Sequence, residues 1–370
     1  MPRRGRTKPQ NGTVKRRLRK NAVQLSVDPI ITVRDVEQQR SRRPLPRWQQ
    51  PPPNGTVLRR LLYRHGLRRH RPGFHSRFGG LWTDRLDAKS KLAARLASGE
   101  VSQASVDLVR HWIEFGYVIL KNAVPHDVVD TINAEVDRIW EDCDPHYRIE
   151  LGAVYHDLDP KLRSQHYKLL DLHAQFQPAL QAAFAPRVTE FLQLVFEATP
   201  LLFQLLTFET GSSQPVHQDT AYVVVTRPME FAASWIALED IQPGSGELVY
   251  YPGSHRLPEH RFRAGYKNWN AERDGEDSHR EFLTGLHQKA KAEGQTLQSF
   301  RPKKGDALIW SADLAHGGGP ITDPSLTRRS LVSHYCPASA RPYYFGYKAK
   351  HRRVGKGPAG GEYSSSYYRI

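Results

Sequence analysis

His217 and Asp219 stand two residues apart in the run PVHQDT, and 97 residues beyond Asp219 the run KKGDALIWSADLAHGGGP delivers His316 to three glycines. In extended backbone, residues i and i+2 project to the same side, so an imidazole and a carboxylate at this spacing converge on one ion. The triplet by itself carries little weight. With 17 His and 38 acidic residues in the chain, about 1.7 His-x-acid triplets arise by chance, and the second one present is His279-Arg280-Glu281. His316 supplies the weight. Two histidines and one carboxylate on a β scaffold form the facial triad of a non-haem iron centre, which leaves one face of the metal open for substrate and dioxygen. A closed structural zinc site would take a fourth protein ligand, and with only Cys143 and Cys336 in the chain a thiolate site is excluded. Downstream, Arg328 and Arg329 open the run SLVSHY, where a guanidinium can grip a carboxylate through two parallel bonds. Side-chain alternation lets only one of the two, Arg328 or Arg329, face a barrel interior.

These residues need a scaffold, and the sequence changes texture at Pro200. Before it, helical patterning covers Val106 to Phe115, Asp127 to Trp140 (with Val128, Ile132, Val136 and Ile139 on one face) and Arg187 to Phe196, with GYVIL at Gly116 to Leu120 reading as a short buried strand. After it come six short apolar runs bounded by turn residues: LLFQLLTF, AYVVVT, FAASWIAL, ELVYYPG, ALIWSA and SLVSHYCP. Helices followed by many short strands predict an α+β fold, a double-stranded β-helix (jelly-roll, cupin-like) core with flanking helices. His217-Gln218-Asp219 is expected at the end of the strand AYVVVT. The polar stretch Arg261 to Gln298 interrupts the strand series and reads as a lid or substrate loop, with a helix around His279 to Ala292. The second triplet, His279-Arg280-Glu281, is expected to be solvated. Tyr222, Tyr250 and Tyr251 are expected to pack in strands, with lining of the substrate pocket as the alternative, and His255 to belong to a turn. His334 lies on the strand after Arg328 and can point inward, but the order of motifs gives His316 priority as ligand.

Taken in order, FGYVILKNAV, PVHQDTAY, SWIALEDIQPGSGELVYYPGSH, KKGDALIWSADLAHGGGP and TRRSLVSHY resemble the phytanoyl-CoA dioxygenase family over roughly residues 106 to 345. The resemblance implies a double-stranded β-helix that uses iron(II), with 2-oxoglutarate and O2 as cosubstrates. It implies His217, Asp219 and His316 as metal ligands and Arg328 as the group holding the distal carboxylate of 2-oxoglutarate. Trp235 stands where the family has a tryptophan beside the cosubstrate, and Lys168 and Gln204 are weaker transfers to the same pocket. Halogenating relatives carry a small residue in place of the metal carboxylate, so Asp219 favours hydroxylation, with release of succinate and CO2. The substrate expected is a small molecule or a lipid- or glycan-linked compound.

The formal charge of +16 is not spread over the chain. Residues 1 to 80 hold 21 Lys/Arg against 3 Asp/Glu, a balance of +18, and the remainder is close to neutral at −2. The organisation expected is therefore a basic, extended or flexible arm at 1–80, an oxygenase domain at 81–345, and a basic Gly/Ser/Tyr-rich tail at 346–370. Such an arm suits an anionic macromolecule or surface, or serves as an import signal. Arg17-Leu18 and Gln24-Leu25 also fit the spacing of a nonapeptide that some peroxisomal members of the family carry. A binding protein that works through the arm alone, with the β core as scaffold, is the competing class. No run of 18 or so apolar residues suggests a membrane span. A cytoplasmic location is expected, with organelle import through the arm as the alternative.

Overall fold

A computed structural model describes residues 72–152, 154–346 and 353–370. Most of the basic arm, including the Arg17 to Leu25 nonapeptide, lies outside the described residues. Five of the helices precede the main strands that begin at Pro200. Helix α1 (Ala88–Ala97) leads into α2 (Gln103–Phe115). The hydroxyl of Ser102 caps α2 by accepting from the Ser105 amide at 3.2 Å, and Gly116 ends it at φ 80°. Glycine is required there twice over. The left-handed conformation suits it, and an added Cβ would meet the His255 ring at 2.5 Å. Val106, Val109, Trp112 and Ile113 form the buried face of α2.

From Gly116 the chain enters β1 (Tyr117–Leu120) and then α3 (His126–Glu141), whose Val129, Ile132, Val136, Ile139 and Trp140 are buried. Three short strands that the sequence pattern does not reveal follow: β2 (Ile149–Leu151), β3 (Val154–His156) and β4 (Lys168–Leu170). At three residues each they are too short to show a period of two. Helices α4 (Gln177–Ala183) and α5 (Pro186–Phe196) close this half.

The second half builds two sheets. The larger contains β5 (Pro200–Phe208), β6 (Ala232–Ala237), β9 (Ala307–Ser311) and β11 (Ser330–Pro337), in the order β1-β9-β6-β11-β5-β4-β2-β3. All of those neighbours are antiparallel. The smaller sheet is β10 (His316–Gly318), β7 (Leu248–Tyr250) and β8 (Gln298–Phe300). Between the sheets lie Trp235, Leu308 and Trp310 from one side and Leu248, Tyr250 and Phe300 from the other. The outer face of the large sheet, through Leu205, Ile236, Ile309, Leu331 and Tyr335, packs on the helices. Burying both faces explains why β6 and β9 read as continuous apolar runs instead of alternating ones. The result is an α+β jelly-roll with flanking helices.

Two sequence expectations are corrected here. AYVVVT is not a strand: residues Asp219–Ala221 form a 3-10 turn, and only Val225 makes a bridge, to Pro342. The amides of Tyr222 and Val223 both turn back onto the Asp219 carbonyl, at 2.8 and 2.7 Å, which cancels the β preference of the valines. The insertion carries one long helix, α6 (Ala271–Ala292), bent at Gly275 and starting eight residues before the stretch the sequence suggested. At the far end, β12 (Gly355–Lys356) pairs with β13 (Glu362–Tyr363), and β13 lies parallel against Leu201 and Leu202 of β5. Residues 353–370 thus pack on the domain, with Tyr368 2% exposed. Asp171 anchors them through the Ser365 hydroxyl at 2.6 Å and the Ser366 amide at 3.2 Å.

Candidate metal centre

The turn after β9 crosses from the large sheet to the small one and starts β10 with His316. The segment before Asp219 runs alongside, and the two histidines exchange backbone bonds, His217 N to His316 O at 2.8 Å and His316 N to His217 O at 2.9 Å. Glycines make this approach possible. A Cβ on Gly317 would stand 2.7 Å from the Gln214 carbonyl and 2.9 Å from the Val216 nitrogen, and one on Gly318 would stand 2.9 Å from the Ser213 nitrogen. Gln218 between the two ligand-type residues is extended (φ −108°, ψ 131°), so His217 and Asp219 share a side even without the expected strand.

His217, Asp219 and His316 are all buried, and one ligand atom from each lies within 4.8 Å of the others. Asp219 Oδ1 is 3.5 Å from His217 Nε2 and 3.7 Å from His316 Nε2. Each ring has its other nitrogen committed, His217 Nδ1 to the Pro215 carbonyl at 2.8 Å and His316 Nδ1 to the Leu314 carbonyl at 2.9 Å. A carbonyl only accepts, so Nδ1 carries the proton and the Nε2 lone pairs face the carboxylate. Asp219 Oδ2 accepts from the Trp310 indole at 2.8 Å. Burial opposes its charge, but His316, His217 and His334 outweigh that and hold the carboxyl well below the usual range. Burial brings His316 down to about 4, with the Asp219 charge only partly opposing. Two neutral imidazoles and one carboxylate are the donor set that a hard-to-borderline divalent ion takes, and both rings already have the hydrogen-bonded back nitrogens that such sites use to orient ligands.

Arg328 and Arg329 go opposite ways. Arg329 turns outward to Asp137 at 2.8 Å and Glu209 at 2.9 Å. Arg328 is 2% exposed, with its guanidinium 5.5 Å from the Phe208 ring and 5.7 Å from the Trp235 ring. It makes one long contact, to the Thr210 carbonyl at 3.4 Å, and Nε has no partner among the described residues. Burial lowers it to about 10, with the Glu247 charge opposing. Trp235 is 1% exposed, edge-on to Phe300, and its indole nitrogen also lacks a partner among the described residues. A buried cation and an indole left without acceptors form a cradle suited to a small anion. Gln204 sits opposite His334 in the β5/β11 ladder, where the register slips by one residue at Phe203. The ammonium of Lys168 is bound to Glu150 at 2.8 Å, and to no group of the cluster.

Other side chains also surround the cluster. Tyr222 does not pack in a strand: it is 38% exposed and stands edge-on to His217, ring centroids 5.4 Å apart. Its hydroxyl meets His279 Nε2 at 2.6 Å, and His279 is stacked on Trp269 at 4.4 Å. His279 is therefore held over the centre by the insertion and is half-buried, while Arg280 beside it is solvated as expected. Gln214 places its amide nitrogen 3.3 Å from His217 Nε2. His334 points inward, with Nε2 3.6 Å from Asp219 Oδ2 and neither ring nitrogen partnered among the described residues. The sequence signals for these are the place of His334 on the strand after Arg328 and the closeness of Gln214 and Tyr222 to PVHQD in the chain; no local signal marks His279. His255 is buried and bound to the Ile113 carbonyl, Tyr250 is core, and Tyr251 bonds His287 of α6.

A jelly-roll with a buried His/Asp/His cluster at the junction of its two sheets is the architecture of a mononuclear non-haem oxygenase. The profile "Phytanoyl-CoA dioxygenase (PhyH)" matches residues 112–330, well over half of the chain. The chain belongs to the phytanoyl-CoA dioxygenase family and is an iron(II)- and 2-oxoglutarate-dependent oxygenase. No curated protein matches the sequence. Solved structures with a similar chain course include the epimerase SnoN from nogalamycin biosynthesis, in complex with Fe3+, alpha ketoglutarate and nogalamycin RO (18% identity, TM-score 0.49, 65% of this chain and 87% of that one). They also include the carbocyclase SnoK of the same biosynthesis (16%, 0.48, 65% and 86%) and EctD from S. alaskensis with 2-oxoglutarate and 5-hydroxyectoine (18%, 0.46, 65% and 78%). Among the described residues no helix is long and apolar enough to cross a membrane.

Proposed function

We propose that this oxygenase hydroxylates an unactivated C–H bond of a small-molecule, lipid- or glycan-linked substrate, with His217, Asp219 and His316 holding the iron and Arg328 holding the distal carboxylate of 2-oxoglutarate. The observation that carries the reading is the pairing of a complete buried donor set with a buried guanidinium that lacks a carboxylate partner among the described residues. Iron(II) with 2-oxoglutarate and O2 would supply the oxidising power for C–H cleavage, with succinate and CO2 as coproducts.

The chain's own groups do the rest by position and exclusion of water. The back carbonyls of Pro215 and Leu314 keep the imidazoles in one tautomer. Trp310 occupies Asp219 Oδ2 and leaves Oδ1 turned to the histidines. Trp235 and Phe208 wall the guanidinium of Arg328 from solvent, so that its charge acts at short range in a dry site. Tyr222 and His279 stand on the solvent side of His217, where a substrate would meet the centre. The anaerobic protein with iron(II) and 2-oxoglutarate is expected to show the weak visible charge-transfer band of this chelate, and Asp219→Ala to abolish it. A wild-type protein without that band would defeat the proposal.

The charge balance of residues 1–80 supports a second role, contact with an anionic macromolecule or surface. Removal of residues 1–71 is expected to leave succinate formation intact while abolishing retention on heparin at about 0.15 M salt. Retention unchanged by the deletion would withdraw the role.

A further inference from the structure

Lys267 belongs to the polar insertion, yet it is 3% exposed. Its ammonium ends 2.6 Å from Asp313 Oδ2. The other carboxylate oxygen of Asp313 accepts from the Thr220 hydroxyl, and the Asp313 carbonyl accepts from the Gln218 side-chain amide at 2.7 Å. Gln218 and Thr220 flank Asp219, and Asp313 precedes His316 by three residues. One buried acid thus ties together the two segments that bring the metal-ligand residues, and Lys267 ties that acid to the insertion. A second bond runs in parallel, from the Trp269 amide to the Ala221 carbonyl at 3.0 Å.

A lysine and an aspartate this deeply buried are uncommon unless paired, and the pair recovers little net stability after both ions are stripped of water. What it does supply is fixed geometry. Asp313 cannot move without shifting both neighbours of Asp219, and Lys267 cannot leave without exposing Asp313 as an unpaired buried charge.

We propose that Lys267 and Asp313 are positioning residues that make metal affinity depend on the seating of the 261–298 insertion. This rests on the metal reading given above. Coupling of this kind is reciprocal: metal binding steadies the insertion, and a substrate or variant that lifts the insertion loosens the metal.

The test uses the full chain with cobalt(II), which needs no oxygen or turnover. Cobalt affinity is measured by calorimetry, and amide hydrogen exchange across α6 is measured with and without cobalt. In the wild type, cobalt is expected to slow exchange over residues 271–292. Lys267→Met is expected to weaken cobalt binding about tenfold to a hundredfold, the range found when groups supporting metal ligands are removed, and to abolish the cobalt-dependent protection of α6. Because Lys267→Met leaves Asp313 unpaired, a double variant with Asp313→Asn is measured as well. The neutral amide keeps an acceptor for Thr220, so the double variant tests the tie to the insertion and not folding. A folded double variant that binds cobalt like the wild type and still transmits protection to α6 overturns this inference alone. A wild-type chain that takes up no cobalt overturns the metal reading together with it.

Discussion

Both histidines of the proposed centre are braced in the same way, each Nδ1 proton given to the carbonyl two residues upstream, Pro215 or Leu314. The set His217, Asp219 and His316 was legible from other signals, the two-residue spacing in PVHQDT and the strand-like run that delivers His316 to three glycines. Arg328 was legible only as one of two, because a strand's alternation fixes that its neighbours differ but not which one turns inward. The ion pairs of Arg329 with Asp137 and Glu209 show which way each points. His334 was legible as a side chain able to point inward, and Tyr222 lies five residues from His217, but His279 was not legible as a neighbour of the centre, since its contacts join separate elements. If Arg328 holds 2-oxoglutarate, Arg328→Ala is expected to raise its apparent constant at least about thirtyfold, the factor that ~2 kcal/mol supplies when one side of a buried charge contact is lost. Iron binding, followed by calorimetry, stays close to wild type. A constant that does not move would withdraw Arg328 from the role.

At the scale of elements, the long helices and the central strands followed from periodicity and composition, because an amphipathic face recurs over ten or more residues of a helix and a doubly buried strand reads as an uninterrupted apolar run. The connections did not. AYVVVT has the composition of a strand, but two amides folding back on the Asp219 carbonyl override it. The path of the insertion over the centre depends on Lys267, Trp269 and His279 reaching elements 46 to 57 residues distant in the chain, and no local pattern encodes that. The glycine triplet was legible as a turn signal, though its reason is crowding, with the 213–216 segment lying directly against it. Gly317→Ala is therefore expected to force the two ligand-bearing segments apart and to weaken iron or cobalt binding about tenfold. Wild-type affinity in that variant would mean that the segments tolerate more separation than their packing indicates.

For the molecule as a whole, acid stability follows from where histidines are buried. Burial holds His255 well below its ordinary value, with Arg256 and His75 acting in the same direction and the Ile113 carbonyl against it, and burial lowers His173 likewise. A histidine kept neutral in the fold takes up its proton on unfolding, so its contribution is present above the unfolded value near 6.5 and is lost as pH falls through it. The thermal midpoint is expected to drop between pH 7 and pH 5, and His255→Gln to flatten that dependence. An unaltered slope in the variant would assign the acid sensitivity elsewhere. The parallel seam between β13 and β5 also has a meaning for biosynthesis. Leu201 and Leu202 leave the ribosome roughly 8 to 30 s before Glu362 and Tyr363 at ordinary translation speeds. Through that interval the Leu201–Leu202 end of a buried strand has an unclaimed edge, the kind of surface that recruits other nascent chains, so the yield of native protein should depend on chaperones that shield it.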